Sequence, residues 1–179
     1  MLMGGNAAGK TTTLRRIQEA HPGAGWEWWY PDNDQPPGIK SKLAQQFKIL
    51  LRGWSSPYPG LALEGTRVYS QVFQCMVWST TPRELYLGLL LQTGPDLVAH
   101  LRARCEKKGK KFREDYWVEG SGPQKADYEG RRRYWTATHN LLAAYPQIQD
   151  RVHLETFWVG RDYEGLADVE AWAAKVIAS

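Results

Sequence analysis

The segment from Gly4 to Thr11 constrains the fold of this chain more than any other feature. It reads Gly-Gly-Asn-Ala-Ala-Gly-Lys-Thr and directly follows the apolar residues 1–3. This pattern is typical of a loop between a strand and a helix, where glycines let backbone N–H groups turn inward onto phosphate oxygens. The lysine then spans the terminal phosphates, and the next hydroxyl coordinates magnesium. We therefore predict a phosphate-binding loop, with Thr11 as its metal ligand, made of Gly4, Gly5, Asn6, Ala7, Ala8, Gly9, Lys10, Thr11 and Thr12.

The remaining sequence alternates apolar runs with amphipathic segments, as in a parallel sheet whose strands are joined by helices. Strands are predicted at residues 1–3, 26–30, 61–64, 85–91 and 151–158. Helices are predicted at residues 10–20, 39–51, 68–78, 93–106, 128–144 and 166–177. Since 179 residues suit one hydrophobic core, we expect a single α/β domain over residues 1–179. It should be a three-layer sandwich with a five-stranded parallel sheet flanked by helices.

A basic segment interrupts this alternation between residues 107 and 133. Its first part contains five basic residues, Lys107, Lys108, Lys110, Lys111 and Arg113. A glycine-rich stretch at residues 119–123 follows, and three arginines at 131–133 end the segment. Because the periodic apolar pattern is lost here, we predict a mobile lid inserted in the domain.

Composition argues against several classes of protein. No apolar run approaches the ~18 residues that a membrane helix needs, so no membrane partner is expected. The start of the chain lacks a secretory pattern, and Cys75 and Cys105 have neither a CxxC spacing nor a neighbouring histidine. We therefore expect a soluble, intracellular protein without a disulfide framework. The histidines lack metal spacing and are assigned no role; they are His21, His100, His139 and His153.

In its context between an apolar segment and a helix, the loop at residues 4–11 resembles that of the P-loop kinases, a family of nucleoside, nucleotide and small-metabolite kinases. The resemblance covers the whole chain in the order of its elements, with specific motif identity in the loop. It implies a P-loop kinase-like fold with a lid, ATP and Mg²⁺ as cofactors, and transfer of the terminal phosphate of ATP to a hydroxyl acceptor. It also implies that adenine lies near residues 159–163.

The resemblance suggests catalytic residues besides Lys10 after the predicted third strand. Glu64 and Arg67 look like the acidic residue and arginine that such kinases carry there. Glu64 would polarise the acceptor hydroxyl or hold magnesium through water, and Arg67 would contact phosphate or acceptor. A helix cap and a solvated surface residue are the alternative interpretations, since a negative charge is favourable at a helix start.

Two further clusters are suggested in the same way. Asp32 and Asp34 follow the second strand and are similar to the paired aspartates of shikimate-type and gluconate-type kinases. Asp32 is therefore an alternative base, although ordinary turn chemistry would also explain both residues. Arg132 is predicted as a catalytic lid arginine. Neighbours on a helix point about 100° apart, so at most one or two of residues 131–133 can face one ligand.

The acceptor is predicted to be a small molecule or nucleotide. A nucleoside-like acceptor is favoured, either free or within DNA, and a hydroxymethylated pyrimidine base in viral DNA is one specific case. Nucleic acid is thus an open partner, as is the oligomeric state. The alternatives are a regulatory switch that hydrolyses nucleotide and a DNA-stimulated ATPase. The absence of an Asn-Lys-x-Asp guanine signature makes the switch less favoured.

Overall fold

The structure is a computed structural model that describes residues 1–5, 7–30, 58–63, 84–113, 140, 143 and 146–179. Its strands are β1 (Leu2–Gly4), β2 (Glu27–Trp29), β3 (Leu61–Leu63), β4 (Leu85–Leu91) and β5 (Val152–Trp158). Its helices are α1 (Lys10–Ala20), α2 (Gly94–Lys107), α3 (Pro146–Gln149) and α4 (Leu166–Ala178). All of these elements except α3, which the sequence pattern does not predict, lie within one residue of their predicted bounds.

All strand pairs are parallel, as the alternation of strands and helices predicts. β4 lies between β1 and β5, with Leu2 opposite Gly88 and Leu85 opposite Val152. β2 pairs with β3, so the described strands form one sheet of three strands and one sheet of two. The prediction of a single five-stranded sheet is therefore wrong for the described residues. The physical reason is the hydrogen bonding of the short strands. β1 pairs with β4, and β3 pairs with β2, each over only three residues.

Met1 extends the pairing of the short strand β1. Its carbonyl accepts a hydrogen bond from the Gly88 N–H at 2.9 Å, and its amino nitrogen donates to the Tyr86 carbonyl at 2.7 Å. Burial lowers the pKa of this amino group to about 5, so it is neutral at pH 7. The pairing therefore includes Met1 and places Gly4 at the carboxyl end of the strand.

β1 and most of β4 are buried on both faces of the three-stranded sheet, whereas β5 has exposed side chains. On one face α1 and α4 pack together, and their apolar side chains form a cluster with those of the strands; the helical members are Leu14, Ile17, Leu166, Val169 and Ala173. The other face consists of strand side chains, namely Met3, Leu87, Leu89, Leu91 and Val152. Tyr30 and Ala62 belong to the first cluster, so the smaller sheet shares its core. Burial on both faces is the normal state of a parallel sheet in an α/β protein.

Several predicted elements lie outside the described residues. These are the helices at 39–51 and 68–78, the lid beyond residue 113, and the helix at 128–144 apart from residues 140 and 143. Across the described part of the chain, no helix has the length and apolar character needed to cross a membrane.

Candidate active site

The carboxyl ends of β1, β4 and β5 lie side by side because the three strands are parallel. Gly4 is opposite Leu90, Leu91 is opposite Trp158, and the Val159 N–H donates to the Leu91 carbonyl at 2.8 Å. From β1 the chain runs through α1 to the smaller sheet. From β4 it runs to β5, which lies on the side of β4 away from β1. Open α/β sheets bind ligands in the crevice outside the carboxyl ends of their strands. The glycine-rich segment therefore lies at the edge where a ligand is expected.

Two glycines of this segment occupy places that a side chain would not fit. A Cβ on Gly4 would lie 2.8 Å from the Leu90 carbonyl oxygen. Gly9 has a φ of 83°, in the left-handed region, and a Cβ there would lie 2.9 Å from Leu166 Cδ1. The backbone of the loop thus runs close to the sheet at one end and close to α4 at the other. This explains why positions 4 and 9 of the loop are both glycine.

Lys10 is the buried cation of the site. It is the first residue of α1 and only 6% exposed, and its Nζ donates a hydrogen bond to the Gly5 carbonyl at 2.8 Å. The side chain therefore lies back over the loop that precedes it. The position of this positive charge favours an anion beside the loop.

The start of α1 reinforces this preference. The helix follows Gly9 without a side-chain cap and has no acidic residue in its first turn. By contrast, α2 is capped by Thr93, whose hydroxyl oxygen accepts a hydrogen bond from the Asp96 N–H. Asp96 also adds a negative charge to the first turn of α2. Neither a side-chain cap nor an acidic residue of the first turn therefore compensates the positive end of the α1 dipole. Such a helix end binds anions through its backbone N–H groups.

Thr11 is suitably placed to hold a magnesium ion next to a bound phosphate. It is the second residue of α1, half-buried, and its hydroxyl is the hard oxygen ligand that Mg²⁺ prefers. No group of three or more His, Cys, Asp or Glu side chains that could hold a metal occurs within the described ranges. A magnesium ion there would draw its other ligands from phosphate oxygens, water or side chains beyond those ranges.

Two residues that sequence reasoning missed adjoin the loop. Gln92 is the first residue after β4 and donates from Nε2 to the Ala7 carbonyl at 3.4 Å. The same nitrogen lies 2.5 Å from His100 Nδ1, and both side chains are buried. The only sequence signal was weak: Gln92 and His100 are polar residues within or beside apolar segments.

The segment after β5, where adenine was predicted, is among the described residues. Tyr163 lies in it with a φ of 61°, and its ring stacks on His100 with the centroids 4.1 Å apart. Burial raises the pKa of the Tyr163 hydroxyl, while the positive charge of Arg104 acts in the opposite direction. The site edge therefore brings together this segment, α2 and the glycine loop.

Several predicted site residues lie outside the described part of the chain. They are Asn6 of the loop and the candidate catalytic residues Asp32, Asp34, Glu64, Arg67 and Arg132. The chain places position 64 directly after β3, which ends at Leu63. Their roles remain predictions from the sequence.

The fold and this edge define an α/β protein that carries a glycine loop and a buried lysine at the carboxyl ends of a parallel sheet. No protein-family model matches the chain, and no curated protein matches it. Among solved structures it is similar to a gluconokinase from Sinorhizobium meliloti 1021, at 13% identity and a TM-score of 0.49. The match covers 97% of this chain and 94% of that chain. The case for the function therefore depends on the residues of the site.

Proposed function

We propose that the protein is an ATP-dependent kinase that transfers the terminal phosphate of ATP to a hydroxyl acceptor. The observation that carries this proposal is Lys10, a buried cation whose Nζ lies 2.8 Å from the Gly5 carbonyl. It stands at the start of a helix that has no side-chain cap. The polyphosphate of a nucleotide supplies the negative charge that both features favour.

The proposed chemistry depends on positioning and electrostatics. Backbone N–H groups of the loop hold the phosphates, and Lys10 turns from the Gly5 carbonyl to the terminal phosphates. Thr11 would hold a magnesium ion, which would further neutralise the phosphate charge. The acceptor oxygen attacks the terminal phosphorus while the bond to the departing ADP breaks. Most of the catalytic effect in such reactions comes from fixed charges and alignment.

Activation of the acceptor is assigned to a carboxylate outside the described residues. Glu64 orients the hydroxyl and takes its proton, with Asp32 or Asp34 as the alternative. Arg67 and Arg132 stabilise the charge on the transferred group. The position of Glu64 directly after β3 supports this assignment, because ligands bind at the carboxyl ends of parallel strands.

Replacing Glu64 with glutamine should slow phosphate transfer while leaving ATP affinity within about threefold of wild type. Loss of a general base typically costs about 10²–10⁴-fold in rate, whereas the phosphate-binding loop is untouched. Single-turnover transfer and calorimetric ATP binding measure the two effects. Glu155→Gln, at an exposed position in β5, is the matched control. Unchanged turnover in the Glu64 variant would move the assignment to Asp32 and Asp34, tested by the corresponding asparagine variants.

The finer proposal is that the acceptor is nucleoside-like, either free or as a hydroxymethylated pyrimidine in DNA. The end of α2 and the residues after it support an acceptor with phosphates. Six exposed basic side chains occur from position 104 to position 113: Arg104, Lys107, Lys108, Lys110, Lys111 and Arg113. Arg104 lies near enough to Tyr163 to affect the pKa of its hydroxyl, which puts the first of them beside the site.

Transfer of labelled terminal phosphate from ATP tests the proposal directly. The panel contains nucleosides, nucleotides, small metabolites including sugar acids, and DNA with and without hydroxymethylated bases. We expect label on one class of acceptor, with transfer to DNA falling steeply as salt is raised, since phosphate contacts release counterions. Label on a small metabolite would retain the kinase and reject the nucleoside-like acceptor. Free phosphate alone would favour the hydrolytic switch, and hydrolysis stimulated by unlabelled DNA would favour the DNA-stimulated ATPase.

A further inference from the structure

A chain of buried polar groups joins the glycine loop to the segment after β5. Gln92 is 5% exposed, and its Nε2 lies 3.4 Å from the Ala7 carbonyl and 2.5 Å from His100 Nδ1. The other ring nitrogen of His100 lies 2.5 Å from the Arg161 carbonyl. The contacts to Ala7 and Arg161 span 85 and 61 positions of the chain.

The positions of the hydrogen atoms in this row of hydrogen bonds follow from the backbone carbonyls at its two ends. A backbone carbonyl only accepts, so the His100 nitrogen facing Arg161 carries the ring hydrogen. Nδ1 of the neutral ring is then an acceptor and takes one hydrogen of the Gln92 amide, while the other goes to the Ala7 carbonyl. Turning the amide over would set its oxygen against the Ala7 carbonyl oxygen. The ring tautomer and the amide orientation are therefore fixed by the backbone on either side.

The orientation of Gln92 is achieved at a cost. Its Oε1 is buried and has no hydrogen-bond partner in the described part of the chain. A buried acceptor without a donor destabilises the folded state. An apolar side chain of similar shape would avoid this penalty but would leave His100 Nδ1 and the Ala7 carbonyl without their donor. What Gln92 provides is a donor to both.

Tyr163 extends the contact to the other end of the loop. Its ring is nearly parallel to that of His100, at an angle of 2°. A Cβ on Gly9 would lie only 3.3 Å from Tyr163 Cδ1, so the ring borders the last glycine of the loop. Ala7 and Gly9 both adopt left-handed φ values, 59° and 83°. His100 is thus linked, through one neighbour each, to the two left-handed positions of the loop.

We propose that His100 is a positioning residue that holds the glycine loop in its phosphate-accepting conformation. It does so through Gln92 at Ala7 and through Tyr163 at Gly9, and it ties the loop to the Arg161 carbonyl after β5. The contribution of His100 to phosphate transfer depends on the proposed ATP binding, whereas its effect on the conformation of the loop does not. The alternative is a histidine that simply fills the core and satisfies its own nitrogens.

Three substitutions of His100 separate the contacts. His100→Phe keeps an aromatic ring for Tyr163 and removes both hydrogen bonds. His100→Asn retains an acceptor for Gln92, and His100→Gln retains a donor for the Arg161 carbonyl. His153→Phe is the matched control, because His153 also stacks on a tyrosine, Tyr86, but is exposed near the amino ends of β4 and β5.

Hydrogen exchange of residues 7–9 without nucleotide is the primary measurement. We expect exchange to rise about tenfold in His100→Phe, within the usual range of coupling between sites, and to return toward wild type in His100→Asn. His100→Gln should restore protection after β5 but not in the loop, and His153→Phe should change neither. The ¹⁵N shifts of the His100 ring should report hydrogen on Nε2. Unchanged loop exchange in His100→Phe, or hydrogen on Nδ1, would overturn the proposal.

Gln92→Met provides a test that does not depend on how well the histidine variants fold. It removes the donors to Ala7 and His100 together with the unpartnered oxygen, so we expect somewhat lower thermal stability with faster exchange at residues 7–9. A role limited to the core would change stability and leave the loop alone. ATP affinity should fall about tenfold in both Gln92→Met and His100→Phe. If the wild type binds no ATP, the proposed function fails, and the exchange experiment still decides the role of His100.

Discussion

Replacing Lys10 with methionine is expected to reduce phosphate transfer by at least about 10²–10³-fold, the loss that follows removal of one charge-stabilising group in a preorganised site. Lys10 is buried, and its Nζ lies over the loop at the Gly5 carbonyl. Methionine keeps the length and apolar stem of the side chain but provides no charge for the terminal phosphates. Transfer from labelled ATP and calorimetric ATP affinity are the measurements.

Lys175→Met is the control for this experiment. Lys175 is exposed in the last turn of α4, so the same substitution there removes a lysine charge without touching the loop. We expect wild-type transfer and affinity in the control and an intact fold in both variants. Full turnover by Lys10→Met would remove the loop from the mechanism and, with it, all three functions considered for the chain.

Local sequence patterns predicted the elements that position the site. α1 was predicted at residues 10–20 and found at Lys10–Ala20, and β4 was predicted and found at Leu85–Leu91. The glycine motif and the uninterrupted apolar run are signals carried by neighbouring residues. Periodicity and turn residues fix such elements because the forces that act on them are mostly local.

Other features could not be predicted because they depend on contacts between distant parts of the chain. His100 was assigned no role, and its partners are the Arg161 carbonyl, 61 positions away, and the Gln92 side chain beside the loop. The short helix α3 (Pro146–Gln149) has only four residues, too few for a periodic pattern. The strands divide into two sheets because β1 pairs with β4 and β2 pairs with β3. The sequence of a three-residue strand does not indicate which strand it pairs with.

Gly9→Ala is expected to be more destabilising than alanine at either of two glycines outside the loop. The left-handed φ of 83° costs an alanine about 1–2 kcal/mol. The added Cβ would also lie 2.9 Å from Leu166 Cδ1, the end of a side chain that has to move aside. Since the substitution also displaces the start of α1, ATP affinity should fall with stability. Denaturant unfolding gives the free energy, and calorimetry gives the affinity.

The chain offers three comparison sites that separate these causes. Gly109 has a positive φ of 60° and open space, Gly4 lacks a positive φ but is crowded by the Leu90 carbonyl at 2.8 Å, and Gly23 has neither restriction. The expected order of stability is therefore Gly23→Ala first, Gly109→Ala next, and the two loop variants, Gly4→Ala and Gly9→Ala, last. Only the two loop variants should lose ATP affinity. If Gly9→Ala were as stable as Gly23→Ala, the loop could not have the left-handed turn that places Lys10 at the start of α1, and the proposed phosphate site would lose its structural basis.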